Sequence, residues 1–243
     1  MKHLHSLVPI VCAALALPLV FASGQKATAF AQKPAEAEWI TLFDGKSLQG
    51  WRGYKKTAAA GTRWLVQDGT LTLPPKDGKD TRGALDIIST ETFDRFELTW
   101  EWKISAGGNS GVKYYVLEDL DSAIGHEYQI IDDERHADAK LGLERQTAAF
   151  YDVLPPANRT VKPAGEWNTS RIVARGPAVE HYLNGGKVLS YDLGSAALKT
   201  AIIDSKFNNV ARFGKLHKGH ILLQDHGDQV WYRNIRIRRL KMS

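Results

Sequence analysis

Three short segments carry side chains whose types and spacing could support acid–base chemistry at one surface. They are Gly111–Tyr115, His126–Ile131 and Ile221–His226, and in each of them apolar and polar residues alternate. In a β-strand, alternation of this kind sends the polar side chains to the face opposite the apolar ones. The polar set is Lys113, Glu127, Gln129, Gln224 and His226.

These side chains would form one polar surface if the three segments are neighbouring strands of a sheet. A cation, a carboxylate, two amides and an imidazole would match the many hydroxyl groups of a sugar. The alternative is a solvated outer face with incidental polar residues, and the pattern alone leaves both interpretations open.

The two candidate histidines have different sequence contexts. His226 follows Asp225, and a neighbouring acid could orient an imidazole ring or raise its pKa; a structural histidine in a turn is the alternative. His181 shares strand parity with Val179 and Leu183, which favours a histidine satisfied within the core.

A divalent metal ion is a cofactor that the sequence neither requires nor excludes. The acidic run 132–136 could bind a cation, although such a run is usually a solvated loop. Candidate ligands exist without a spacing that compels a site. They are Glu127, Asp132, Asp225 and His226.

Several catalytic signatures are missing from the chain. It has no glycine-rich phosphate or dinucleotide loop, no His-Glu-x-x-His and no Gly-x-Ser-x-Gly. The nearest carboxylate pair, Glu127 and Asp132, has opposite strand parity. Hydrolysis by two paired carboxylates is therefore disfavoured.

The rest of the chain predicts an all-β fold that would hold these residues. Of 243 residues, 43% are hydrophobic and 24% charged, as in soluble globular proteins. Phe96–Ile104 alternates cleanly, and Asp68-Gly69 lies between two β-prone runs as a hairpin turn. About ten strands are expected, with helical periodicity confined to 195–208. This pattern predicts a two-sheet sandwich.

The N-terminus predicts export. Lys2 precedes an uncharged apolar run from Leu7 to about Ala22, which is typical of a signal peptide; an uncleaved anchor helix is the alternative. We expect a signal peptide at 1–31, a linker at 32–37 and a single domain at 38–243. The expected location is the bacterial periplasm or cell surface, with no membrane span after cleavage.

The composition of the mature chain excludes some partners. Loss of residues 1–31 removes Lys2 and Lys26, which leaves 30 basic and 27 acidic residues, a net charge of +3. A positive charge this small does not indicate that nucleic acid or an anionic membrane is a partner. Cys12, the only cysteine, lies in the predicted signal peptide, so no thiol or disulfide chemistry is expected.

Taken in order, a set of motifs resembles the 3-keto-disaccharide hydrolase domain family across nearly the whole mature chain. The motifs are Leu42-Phe43-Asp44-Gly45-Lys46-Ser47-Leu48 with Gly50-Trp51, Gly108-Asn109-Ser110-Gly111-Val112, Glu127-Tyr128-Gln129-Ile130-Ile131-Asp132, Tyr151-Asp152 with Pro155-Pro156, Gly165-Glu166-Trp167-Asn168, Leu183-Asn184-Gly185, Leu223-Gln224-Asp225-His226-Gly227 and Arg233-Asn234-Ile235-Arg236-Ile237.

This resemblance implies a concanavalin A-like jelly roll that cleaves glycosides already oxidised to a ketone at C3. Such a ketone acidifies the C2 proton, so elimination of the C1 substituent followed by hydration gives net hydrolysis. It also implies a partner oxidoreductase that makes the ketone. Many members carry an arginine soon after the Asn-Ser-Gly segment; here the nearby cation is Lys113.

The chemistry assigns hypothetical roles. His226 or Glu127 is the base, and Lys113 or a divalent ion stabilises the oxyanion. Asp225 or Asp132 would orient His226 or ligate the metal. Residues expected to bind the oxidised glycoside are Asn109, Gln129, Tyr151, His181 and Gln224.

Three other functions remain open at this point, one of them a purely structural surface protein. A non-catalytic, lectin-like carbohydrate-binding domain would use the same fold, and fold alone does not separate it from an enzyme. A conventional glycosidase acting on unoxidised sugars is disfavoured by the missing carboxylate pair.

Overall fold

A computed structural model describes residue 1 and residues 37–59, 61–76, 85–120, 122–215 and 218–241. The predicted signal peptide and linker lie outside the described residues, apart from Met1 and Ala37. None of the helices in the described ranges has the length and apolar character needed to span a membrane.

The described residues form thirteen strands, one α-helix and two short 3₁₀-helices. The strands are β1 (Ile40–Thr41), β2 (Trp51–Gly53), β3 (Leu65–Gln67), β4 (Thr70–Leu73), β5 (Ile87–Phe93), β6 (Phe96–Ile104), β7 (Asn109–Val116), β8 (His126–Ile131), β9 (Asn168–Arg175), β10 (Ala178–Leu183), β11 (Gly186–Asp192), β12 (Gly219–Leu223) and β13 (Val230–Arg239). The helices are α1 (Ala196–Ile203) and the 3₁₀-helices Asp138–Lys140 and Leu143–Arg145.

The strands build two antiparallel sheets. Eight strands form one sheet in the order β11-β10-β9-β6-β13-β4-β3, with β1 also paired to β13, and five form the other in the order β2-β5-β12-β7-β8. The predicted all-β, two-sheet jelly-roll sandwich is therefore confirmed. The predicted helical region contains α1, whose first turn is capped by the Ser195 side chain.

The core lies between the two sheets and follows the predicted alternation. Alternate residues of β6, from Phe96 to Ile104, are at most 3% exposed. Tyr128 and Ile130 of β8 are fully buried opposite them. Burial of these large side chains drives the two sheets together. The opposite face of the five-stranded sheet is left free to carry polar groups.

One irregularity departs from simple alternation. Tyr115 has a positive φ of 59°, and the register between β7 and β12 shifts at the same level. This β-bulge lets two consecutive side chains, Tyr114 and Tyr115, both pack against Phe96 in the core. The parity before the bulge is unchanged, so Lys113 still points away from the core.

A buried polar chain links the sheets through this core. The Nδ1 atom of His181 donates to the carbonyl of Ala148 at 3.0 Å, so its Nε2 atom accepts from the Tyr114 hydroxyl at 2.8 Å. Tyr114 accepts from Tyr191, which in turn accepts from Nδ1 of His126. Burial lowers the pKa of His181 to about 4, so this ring is neutral at ordinary pH.

We predict that His181 makes folding sensitive to mild acid. Its pKa is lower in the folded chain than the ordinary 6.5, so its contribution is complete above pH 6.5 and is lost as the pH falls toward 4. The loss is about 3 kcal/mol in the free energy of unfolding. Urea unfolding from pH 4 to 7 should show this decline in the wild type and a flatter profile for His181→Gln.

His226→Gln is the control for this experiment, because His226 is exposed. Its pH profile should follow the wild type. Parallel profiles for wild type and His181→Gln would show that the buried imidazole does not set the acid sensitivity.

Candidate functional site

The three segments with alternating polar residues are neighbours in the five-stranded sheet. In the pairing of β7 with β8, Lys113 lies opposite Glu127 and Gly111 lies opposite Gln129. On the other side of β7, the backbone N–H of Gln224 donates to the carbonyl of Gly111 at 3.0 Å. Antiparallel pairing therefore gathers these side chains on the face turned away from the core.

A small pocket of about 110 Å³ lies on this face. The sheet forms its floor, and the segment before β8, the Phe150–Leu154 turn and the chain after α1 form its walls. Its lining residues are Asn109, Lys113, Ala123, Ile124, Gly125, Glu127, Gln129, Tyr151, Lys206, Phe207, Gln224 and His226.

Glu127 is the buried acid of this pocket, only 5% exposed. Gly111 makes room for it, since a Cβ on that residue would lie 2.5 Å from Oε1 of Glu127. The Lys113 ammonium lies 3.6 Å from Oε2 and also donates to the carbonyl of Ala123 at 3.1 Å. Desolvation raises the pKa of Glu127, although Lys113 and Lys206 oppose the shift. Glu127 and Lys113 therefore place a carboxylate of increased proton affinity beside a cation.

Tyr151 and Lys206 form part of the pocket wall. The Lys206 ammonium lies 4.1 Å from the centre of the Tyr151 ring. Although the Lys206 side chain reaches solvent, desolvation lowers its pKa, against the effect of Glu127 and Asp152. The Tyr151 hydroxyl donates to Asp138 at 2.9 Å, and burial raises its pKa, so it remains protonated.

Sequence reasoning missed two residues at this site, Lys206 and Asp86. Lys206 follows α1 in a stretch without strand alternation. Asp86 precedes β5, and its carboxylate accepts the backbone N–H of Asp225 at 2.8 Å. Burial raises the pKa of Asp86, and nearby Lys113 opposes this shift. No local signal marked either residue, because each joins the site through contacts distant in sequence.

Two amide oxygens in the pocket lack hydrogen-bond donors. Among the described residues, nothing donates to Oδ1 of Asn109 or Oε1 of Gln224, although both atoms are buried. Gln129 differs, since its side chain donates to the Arg145 carbonyl and accepts from the Ile130 backbone. Buried acceptors without partners are costly unless a ligand supplies donors, and sugar hydroxyls would do so.

Asp225 does not face the pocket. Its carboxylate forms an ion pair with Arg63 at 2.7 Å, and both side chains are fully buried. It also accepts backbone N–H groups from Leu85 and Gly227. Among the described residues, no hydrogen bond joins it to the His226 ring. Asp225 thus fixes the chain on both sides of the site, and the expectation that it orients the ring is not supported.

Asp132 is also committed elsewhere. Its carboxylate accepts from the backbone N–H groups of Gly107 at 2.7 Å and Glu134 at 3.0 Å. Burial opposes ionisation, but these hydrogen bonds and Arg135 lower the pKa of Asp132. Its structural role is to shape the loops that follow β6 and β8.

The four candidate metal ligands therefore do not form one site. Glu127 and His226 share the pocket, whereas Asp132 and Asp225 are held by other donors. In the described part of the chain, no three His, Cys, Asp or Glu side chains converge as a ligand set. A divalent ion does not fit the residues named for it.

The predicted histidines occupy different places. His181 is fully buried in the core chain described above and does not line the pocket, so its expected contact with substrate is corrected. His226 is exposed at the pocket rim, where its ring lies 6.3 Å from that of His136. The structure brings together every other predicted catalytic and substrate-binding residue.

Comparison with known proteins identifies relatives over almost the full chain. Residues 38–238 match the model of a family described as 3-keto-alpha-glucoside-1,2-lyase-like domains. A 3-keto-disaccharide hydrolase of Bacteroides thetaiotaomicron is 34% identical, over 96% of this chain and 98% of the relative.

Solved structures agree with these sequence matches. A predicted glycosyl hydrolase from Parabacteroides distasonis is 31% identical, with a TM-score of 0.75 over 84% of this chain and 94% of that chain. An inactivated β-agarase B in complex with agaro-octaose is 12% identical, with a TM-score of 0.53 over 86% and 95% of the two chains. The agarase shares the fold alone.

We predict that Asp225→Asn destabilises the whole domain, because it removes a buried carboxylate that forms an ion pair with the Arg63 guanidinium. The expected cost is about 3–5 kcal/mol in the free energy of unfolding. Asp119→Asn is the matched control, since Asp119 pairs with Arg212 at the exposed surface. Its cost should stay below about 1 kcal/mol. Equal losses in urea unfolding would contradict the anchoring role of Asp225.

Proposed function

The chain belongs to the family of 3-keto-α-glucoside-1,2-lyase-like domains and is a glycoside hydrolase or lyase that acts on 3-keto-glycosides; we propose that it does so by elimination and hydration. In this mechanism a base removes the C2 proton, the C1 substituent leaves, and water then adds at C1. The observation that carries the proposal is the buried Glu127 carboxylate beside the Lys113 ammonium.

Glu127 is the base of the proposed mechanism. A carboxylate whose pKa is raised by burial binds a proton more strongly than an exposed one. It accepts the C2 proton, and the electrons of the C2–H bond form the C2=C3 double bond of an enediolate. Glu127 can occupy this position because Gly111 has no side chain that would collide with its carboxylate.

Lys113 stabilises the negative charge that develops on the C3 oxygen. Its ammonium is fixed by the Ala123 carbonyl and by Glu127, so little reorganisation is needed when the oxyanion forms. Lys206 adds a second positive charge from the pocket wall formed by the chain after α1. This charge arrangement replaces the second carboxylate of conventional glycosidases.

The second half of the reaction expels the leaving group. The enediolate collapses to restore the C3 ketone and form a C1=C2 double bond while the C1–oxygen bond breaks. His226, at the exposed rim, donates a proton to the departing oxygen. Once the leaving group has departed, Glu127 exchanges its proton with solvent. Water then adds at C1 and gives a proton to the deprotonated His226, while Glu127 delivers a solvent-derived proton to C2, so the net reaction is hydrolysis.

Asn109 and Gln224 bind the hydroxyl groups of the oxidised sugar. Their unpartnered amide oxygens are acceptors, and each hydroxyl group can donate one hydrogen bond. Gln129 and Tyr151 complete the pocket around the ring. The bound sugar thereby removes the desolvation cost of the two buried acceptors.

The biological setting follows from the substrate and the N-terminus. A 3-keto-glycoside must be made by an oxidoreductase, which is the functional partner of this enzyme. The sequence pattern of residues 1–31 supports export to the periplasm or cell surface.

The substrate class is tested by a paired assay. Purified protein is given a chromogenic glucoside and its 3-keto counterpart, each with and without a chelator. Release from the keto substrate alone, unaffected by chelator, is expected. Release from the unoxidised glucoside would contradict the proposed chemistry. Loss of activity with the chelator would show that a metal ion, and not the lysine ammonium groups, stabilises the oxyanion.

We predict that Glu127→Gln lowers kcat by roughly 10²–10⁴-fold, because the amide cannot accept the C2 proton. In the wild type, the rate should fall on the acid side at a pH above the ordinary glutamate value, since the base must be ionised. Glu134→Gln, on the exposed loop after β8, is the matched control and should keep wild-type kinetics. Wild-type activity in the Glu127→Gln variant would show that Glu127 is not the base.

A further inference from the structure

The seven tryptophans divide into two groups. Four are at most 4% exposed within the sandwich: Trp51, Trp64, Trp100 and Trp102. The other three, Trp39, Trp167 and Trp231, remain partly exposed on or beside the outer face of the eight-stranded sheet. This face lies on the opposite side of the sandwich from the pocket described above.

Trp231 is the centre of a groove that crosses the strands. In the sheet register it lies between Lys103 on β6 and Thr72 on β4, and Thr72 is paired with Leu65 on β3. Strand spacing makes this row roughly 15 Å long. The row borders a groove of about 270 Å³ that also contains Trp167.

The groove combines aromatic rings with uncommitted polar groups. The Lys103 ammonium lies 4.3 Å from the Trp231 ring centre and 5.3 Å from that of Trp167. Among the described residues, no carboxylate lies within ion-pair distance of Lys103. The side-chain amides of Gln67 and Gln229 also line the groove. Apolar ring faces edged by donors and acceptors suit pyranose rings, which have C–H faces and hydroxyl edges.

A second groove of about 270 Å³ lies on the same sheet face, and two of its polar atoms provide independent evidence for a ligand. It lies beside a bulge of β13, where the register shifts between Arg233 and Arg236. Oγ1 of Thr99 and Nε1 of Trp100 are buried at this groove without a hydrogen-bond partner among the described residues.

Arg233 contacts one residue of each groove. The Arg233 guanidinium lies 4.0 Å from the Trp167 ring centre in the first groove and 2.7 Å from the Glu101 carboxylate in the second. A chain molecule could therefore contact both grooves along one face. A single small ligand would occupy only one of them.

We propose that the outer face of the eight-stranded sheet is a second carbohydrate-binding site, which holds an unoxidised pyranose chain on Trp231 and Trp167. The chain stacks on the indole rings, and Lys103 with the groove amides binds its hydroxyl or carboxylate groups. The site keeps the enzyme on a glycan while the pocket on the other sheet acts on single oxidised units.

The test is affinity electrophoresis in gels containing soluble starch, mixed-linkage β-glucan or polygalacturonate. Retardation of the wild type by at least one glycan is expected. Trp167→Ala/Trp231→Ala should weaken binding at least tenfold, while kcat/KM for a small 3-keto-glycoside stays at the wild-type value. Retardation by neutral glycans would show that stacking on the indole rings is the main contact. Retardation by polygalacturonate alone would show that the main contact is the Lys103 ammonium with the carboxylate groups of the glycan.

Trp39→Ala is the matched control, since Trp39 lies on the same face outside both grooves and packs against Arg238. It should bind glycan like the wild type, as should Glu127→Gln. If the double variant unfolds at a lower urea concentration than the wild type, Lys103→Ala is a milder change that tests the same groove. No retardation of the wild type, unchanged binding by the groove variants, or loss of binding in Glu127→Gln would overturn the proposal.

Discussion

The site depends on keeping a carboxylate ionisable while it is buried on a sheet face. Glu127 is nearly inaccessible, and removing a carboxylate from water is expensive unless a charge and space are supplied. Lys113 supplies the charge from the directly opposite position of the neighbouring strand, and Gly111 supplies the space. Desolvation raises the pKa of Glu127 against the opposing effect of Lys113, and this shift suits the carboxylate to the proposed role of base at a weakly acidic C–H bond.

The remainder of the fold holds this pair in register. The bulge at Tyr115 sends two tyrosines into the core without disturbing Lys113 two residues earlier. The hydrogen-bonded chain through His181 and Tyr114 joins the two sheets behind the pocket. Asp225 and Arg63 fix the ends of β5 and β12 from within the protein. Hydrogen-bonded polar groups of this kind add rigidity to a site that needs fixed distances.

Strand alternation predicted much of this arrangement from sequence because it is a local property. Lys113, Glu127, Gln129 and Gln224 were placed on one face by parity alone, and the order of the motifs gave the family. Long-range contacts were not accessible in the same way. Asp225 looked like a partner for His226 because the two are adjacent, yet its ion pair is with Arg63, 162 positions away. Lys206 and Asp86 joined the site through loops, whose conformation no periodicity encodes. The parity of His181 had favoured the core, where the structure places it.

The central claim is that cleavage proceeds through loss of the C2 proton, and its most direct test is isotope incorporation at C2. A 3-keto-glycoside is cleaved in deuterated water, and the released 3-keto sugar is quenched early and examined by mass spectrometry and NMR. The account predicts one deuterium at C2 of the product, formed at the rate of cleavage and absent from product incubated without enzyme. Product released at full rate with its original hydrogen at C2 would contradict it, because direct displacement at C1 leaves that bond intact.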